Sequence, residues 1–158
     1  MVEQTAEEEP ILSGVGEIFA LTDVYEVHPS PGAKILLRGC VLGTLEPGAE
    51  PAKHMKVRRF DGDRQLVNSP MMPVAWTRLA GNPAGGTNRV FCTTMGSAED
   101  LQDENLRRLV VNAIYWGLDL PVPRCAEVDY VQPYAPSPSG TGRHRVAGLP
   151  TALAPESR

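Results

Sequence analysis

Apolar residues in this chain fall into several short runs and one long periodic stripe, and the two patterns predict different structures. The stripe is Leu106, Leu109, Val110, Ala113, Trp116 and Gly117, at three- and four-residue steps. That period places one apolar face on a helix over about residues 103–118, with Arg107, Arg108 and Asn112 largely off the stripe. Asp103 stands where an N-cap belongs, and Pro121 and Pro123 ensure that the helix has ended. The short runs read as strands. Ala33 to Leu42 holds Ile35, Leu36, Leu37, Val41 and Leu42 and predicts a strand buried on both faces. Pro73–Leu79 and Arg89–Thr94 predict two more, joined by a Gly- and Pro-containing loop short enough for antiparallel pairing. Thr22–Val27 is a further strand expectation, as is a short one at Val128, Tyr130 and Val131. Lys56–Phe60 and Arg64–Asn68 flank the turn Asp61-Gly62-Asp63 and predict a small hairpin on the sheet's rim. Ile11–Ala20, with Gly14 and Gly16, reads as a turn or a short helical piece.

This inventory is unbalanced, with four to six strands for one strong helix. A mostly parallel sheet needs helices on both faces. Either the sheet is antiparallel and half-covered, or the chain belongs to a larger α/β domain. The organisation expected is a disordered lead-in over residues 1–10, a domain over 11–132, and a Pro-, Gly- and Ser-rich tail over 133–158 with too few apolar residues to offset the entropy of ordering.

Composition narrows the function classes. The 158 residues favour one domain, and the net charge of −4 argues against a general nucleic-acid binder. No run of 18 or more apolar residues occurs, so neither a transmembrane helix nor a membrane partner is expected. Residues after Met1 are acidic and polar rather than basic then apolar, which reads as a cytoplasmic protein unless a targeting segment precedes Met1. Cys40, Cys92 and Cys125 are widely spaced and odd in number, a pattern of small buried hydrophobes rather than of disulfides or zinc. His28, His54 and His144 are isolated, so neither a metal nor a cofactor is expected. Asp61-Gly62-Asp63 lacks the spaced carboxylates that a calcium loop needs.

The place to look for a ligand is the corner after the second of the paired strands. Gly96, Ser97, Glu99 and Asp100 lie between a strand's carboxyl end and a helix entrance, where open α/β sheets bind ligands and helix N-termini favour anions or hydroxyl-rich groups. The competing reading is helix capping: Ser97 precedes Asp100 by three, a capping box without its Glu or Gln. Trp76 offers a ring to stack on a sugar, against the alternative of core packing.

The stretch Pro73–Trp116 resembles the C-terminal part of ThuA-like (trehalose-utilisation) proteins of the class I glutamine amidotransferase-like superfamily. The residues that carry the resemblance are Pro-Val-Ala-Trp-Thr-Arg at 73–78, Arg-Val-Phe-Cys-Thr-Thr-Met-Gly at 89–96, Glu99-Asp100, Leu-Arg-Arg-Leu at 106–109 and Asn-Ala-Ile-Tyr-Trp at 112–116. Thr22–Tyr25, Pro10–Val15 and Tyr134 to Gly142 also look like family pieces. The resemblance implies a partial flavodoxin-like α/β sheet with one dominant helix, corresponding to the later portion of that domain. It implies a link to trehalose or disaccharide utilisation and a carbohydrate-like small molecule near Gly96, Ser97, Glu99, Asp100 and Trp76. It does not imply catalysis. The superfamily's nucleophile elbow has no counterpart here, Cys40 sits inside a strand-like run, and Ser97 stands where many relatives look like His, leaving no general base. The alternative is an interaction module without enzymatic activity, whose uncovered sheet is completed by a second copy or another chain.

Overall fold

A computed structural model describes residues 8–136, and it is mixed α/β with antiparallel strands in two sheets and one α-helix. The main sheet holds β1 (Lys34–Gly39), β4 (Met72–Gly81) and β5 (Thr87–Thr93) in the order β1-β4-β5. The second is a hairpin of β2 (Met55–Val57) and β3 (Arg64–Leu66). The helix α1 spans Glu104–Gly117. β4 and β5 pair antiparallel from Ala75↔Thr93 to Gly81↔Thr87, as the loop between them predicts.

Alternation along β4 sorts the two faces of the main sheet. Ala75 and Thr77 are buried on one side and pair with Thr93 and Phe91. Arg89, two residues before Phe91, reaches α1 from this same side. Its guanidinium lies 5.5 Å from the Trp116 ring centre, donates to the Trp116 carbonyl at 2.9 Å and pairs with Asp119 at 2.5 Å. This is the helix face, and the core joins it to Leu106, Leu109 and Ala113 of α1 and to Ile11 of a 3-10 turn at Pro10–Leu12. Leu36 and Leu37 are both buried although adjacent, because the β1–β4 register slips on either side of Leu37. Such a bulge lets neighbouring side chains escape strict alternation. Burial in β1 is therefore concentrated at these two residues rather than spread over Ala33 to Leu42.

Two expected strands do not form. Residues 22–27 and 128–131 lie outside every named strand. Thr22–Val27 instead runs over the opposite side of the sheet. A Cβ on Gly39 of β1 would stand 2.6 Å from Val74 Cγ1 and 2.9 Å from Val24 Cγ2, so glycine permits this close approach. Its chain neighbours continue along β4, where Arg78 donates to Ser30 Oγ at 2.9 Å. Residues 124–134 are held by side chains rather than by a ladder. Arg107 Nε donates to the Val128 carbonyl at 2.8 Å, and Arg108 Nε to that of Ala126 at 3.1 Å. The Tyr130 and Tyr134 hydroxyls donate to the Leu101 and Ala98 carbonyls at 2.9 and 2.8 Å. β-Branched and aromatic residues favour extended backbone, but a strand also needs a neighbouring edge, and these segments pair through side chains instead. The expected lead-in and tail fall mostly on residues 1–7 and 137–158, outside the described residues.

Candidate functional site

The corner after β5 is built around Asp100, which is 1% exposed. Gly96, with φ of 128°, turns the chain in a conformation that glycine tolerates. Ser97 Oγ accepts from the Asp100 amide at 3.1 Å, and Asp100 Oδ2 accepts from the Ser97 amide at 3.2 Å. This is a reciprocal capping box in which aspartate fills the Glu or Gln position, and it opens a 3-10 turn over Asp100–Gln102. Oδ2 also accepts from the Gly96 amide at 3.1 Å and from Thr22 Oγ1 at 2.5 Å. Oδ1 accepts from the Leu21 and Thr22 amides at 2.9 and 3.2 Å. Burial pushes this carboxyl up, but the hydrogen bonds from Thr22, Gly96, Leu21 and Ser97 together outweigh it and hold the group below its ordinary value. The carboxylate thus spends its acceptor capacity inside the protein. Ser97 and Glu99 are half-buried beside it and Gly96 is exposed.

Trp76 is separate from this corner in orientation. It lies on the face of β4 opposite Ala75 and Thr77, in a cross-strand row with Ile35 and Cys92, and is half-buried. The cysteines do not converge: Cys40 and Cys92 are half-buried, Cys125 is exposed, and all three are free thiols. Among the described residues no group of three or more His, Cys, Asp or Glu could hold a metal ion, and no helix is long and apolar enough to cross a membrane.

A second locus, absent from the sequence-derived candidates, is the β2–β3 hairpin. Its position is fixed by Glu26, whose Oε2 accepts from the Arg59 amide at 2.8 Å and whose Oε1 accepts from the Phe60 amide at 3.2 Å. Oε1 also lies 3.3 Å from His28 Nε2, and the His28 ring packs on Phe60 with centres 4.6 Å apart. The Arg59 amide foremost, with His28 and Phe60, keeps the Glu26 carboxyl below its usual range against the upward push of burial. The hairpin's inner side chains are polar. Lys56 and Gln65 line a small cleft with Val24, Glu26, Val41, Arg58, Val67 and Met72. Three of its four outer side chains are apolar: Met55, Val57 and Leu66 are 47%, 57% and 48% exposed, with Arg64 the fourth. Met55 pairs with Leu66, and Val57 with Arg64. A rim hairpin ordinarily turns its apolar face to the protein and its polar face to water; this one does the reverse. The sequence carried the signal, because Met55, Val57 and Leu66 alternate with Lys56 and Gln65, but the pattern alone does not say which face meets the protein.

No family model matches the chain, and neither the curated proteins nor the solved structures contain a match.

Proposed function

We propose that this chain is a non-catalytic interaction module whose docking surface is the outer face of the β2–β3 hairpin. The observation that carries the reading is the inverted alternation: Met55, Val57 and Leu66 face outward while Lys56 and Gln65 face inward. Exposed apolar side chains scattered singly are ordinary, but a contiguous cross-strand group with polar residues on the sheltered side is the arrangement of an interface. Self-stability does not explain it, since a two-stranded hairpin gains little from an apolar face left in water. The test is the triple substitution Met55→Thr, Val57→Thr, Leu66→Thr. Threonine keeps the strand preference, and the expected change in unfolding free energy is within about 0.5 kcal/mol per substitution. Binding of an apolar dye should be sharply weaker for the variant than for the native chain. Unfolding of the variant would show instead that these side chains serve the fold.

A second reading follows from the ThuA-like resemblance: a partial flavodoxin-like domain that takes a carbohydrate-like small molecule stacked on Trp76, a site apart from the internally bonded corner of Gly96, Ser97, Glu99 and Asp100. What supports it is the half-buried indole of Trp76 on the face away from α1. Titration with trehalose should then quench tryptophan fluorescence in the native chain and not in Trp76→Phe. Unchanged emission in both proteins rejects this reading.

A further inference from the structure

We infer that the hairpin's outer face takes an extended segment of a partner protein that presents apolar side chains flanked by carboxylates. The inference rests on the interaction-module reading above and adds the chemistry of the occupant. Charge is the first argument. Lys53, Arg59 and Arg64 are exposed around Met55, Val57 and Leu66, and none of the three forms an ion pair among the described residues. The local acids Asp61 and Asp63 are engaged by Arg58. A cationic rim therefore surrounds the apolar row in a chain whose net charge is −4. Complementary carboxylates would steer a partner to this face and fix its register.

Backbone geometry supplies the second argument. The hairpin is a two-stranded sheet, so β2 and β3 each have a pairing partner on one side only. An extended segment adding to the β2 edge would pair with the outward backbone groups of Met55 and Val57, the Arg59 amide being held already by Glu26, while alternate side chains met the outer face. In sequence, Lys53 and Arg59 stand two positions outside Met55 and Val57, beyond either end of β2, so the complementary order along the segment is acidic, apolar, apolar, acidic. A second copy of this chain is disfavoured, because two-fold packing of the face would bring like cations together. An anionic lipid surface is disfavoured as well: Phe60 at the tip is exposed, but the carboxylates of Asp61 and Asp63 follow it directly and would meet the anionic headgroups.

The probes are two fluorescein-labelled peptides, Glu-Thr-Val-Thr-Val-Thr-Glu and its counterpart with Lys at both ends, titrated with the full chain and followed by anisotropy. The acidic peptide should bind about tenfold tighter in low salt, and the gap should close in high salt. The pair Arg59→Glu, Arg64→Glu should reverse the preference, and the triple threonine variant should weaken both peptides. Equal binding of the two peptides, still dependent on Met55, Val57 and Leu66, overturns the charge inference and leaves the docking reading standing. Binding unaffected by the triple substitution overturns both. A dimer that the triple substitution dissolves overturns the inference in favour of a second copy. So does preference for vesicles of phosphatidylserine and phosphatidylcholine over the acidic peptide.

Discussion

Asp100→Asn should destabilise the protein by about 3 kcal/mol at neutral pH, although it changes no volume and touches no apolar contact. The carboxylate accepts from Leu21, Thr22, Gly96 and Ser97 amides and from the Thr22 hydroxyl. An amide in its place keeps one acceptor oxygen and turns a donor toward groups that are themselves donors. At least two part-buried N–H groups then lose their partner, and the cost of orphaning a donor screened from water exceeds the net value of an average hydrogen bond. Urea unfolding of both proteins measures the difference. Its pH dependence identifies the cause. The folded-state pKa of Asp100 is depressed, so its contribution is fully present above the unfolded value, near 3.8, and is lost as pH falls through the lower folded value. The gap between native and variant should therefore be constant at neutral pH and shrink in strong acid. A gap of less than about 1 kcal/mol at pH 7 would mean that the corner is held by packing alone.

A second isosteric change, Asn112→Asp, should cost about 3–5 kcal/mol at pH 7. Asn112 is fully buried, and its Nδ2 donates to the Ile11 and Ser13 carbonyls at 2.9 and 2.8 Å, which assigns the amide's orientation. Its Oδ1 has no partner among the described residues, so this position lacks a donor there to support an anion. A carboxylate there would face two carbonyl oxygens with nothing to neutralise it. The introduced acid would hold its proton more tightly folded than unfolded, so the variant should gain stability as pH falls, the opposite of Asp100. Unfolding curves at neutral and mildly acidic pH test the sign. Equal destabilisation at both would point to lost hydrogen bonds without a buried charge.

The two predictions share a physical basis. Residues 11–22 contain a short 3-10 turn and otherwise no regular element, yet their backbone polar groups are served by one row of side chains from the helix entrance. Asp100 serves Leu21 and Thr22, Asp103 serves Phe19 at 3.1 Å, and Asn105 serves Gly16 and Glu17 at 2.8 Å each. Arg108 serves Gly14 at 3.3 Å, and Asn112 serves Ile11 and Ser13. Arg108 is buried and paired with Glu104 on the preceding turn, which raises its guanidinium pKa further. Backbone polar groups removed from water need partners, and here side chains supply what a ladder would have supplied.

That row explains where sequence reading stopped. The apolar stripe of α1 was legible, and Leu106, Leu109 and Ala113 are buried as it requires. Asp103 caps the helix through Leu106 at 2.9 Å. Arg108 and Asn112, off the stripe, are nevertheless buried, because residues 11–16 and 124–128 close over that flank. Their positions with Asn105, at steps of three and four, form a polar stripe that has the same period as a solvated face. Nothing local tells a polar residue that meets water from one that meets an unpaired carbonyl. The capping reading of Ser97 and Asp100 was legible too, but Leu21 and Thr22 reach that carboxylate across 78 or more positions of sequence.

Periodicity by itself determined the helix, the antiparallel β4–β5 pair and the small hairpin, because each is a local pattern whose partner lies within a few residues. Tertiary structure alone decided that residues 22–27 cover the sheet rather than join it, that Arg108 and Asn112 go inside, and that the hairpin turns Met55, Val57 and Leu66 outward. Those outcomes depend on which surfaces meet across long stretches of chain. An alternating pattern gives two faces their chemistry, and only the packing of distant segments chooses which of them is hidden.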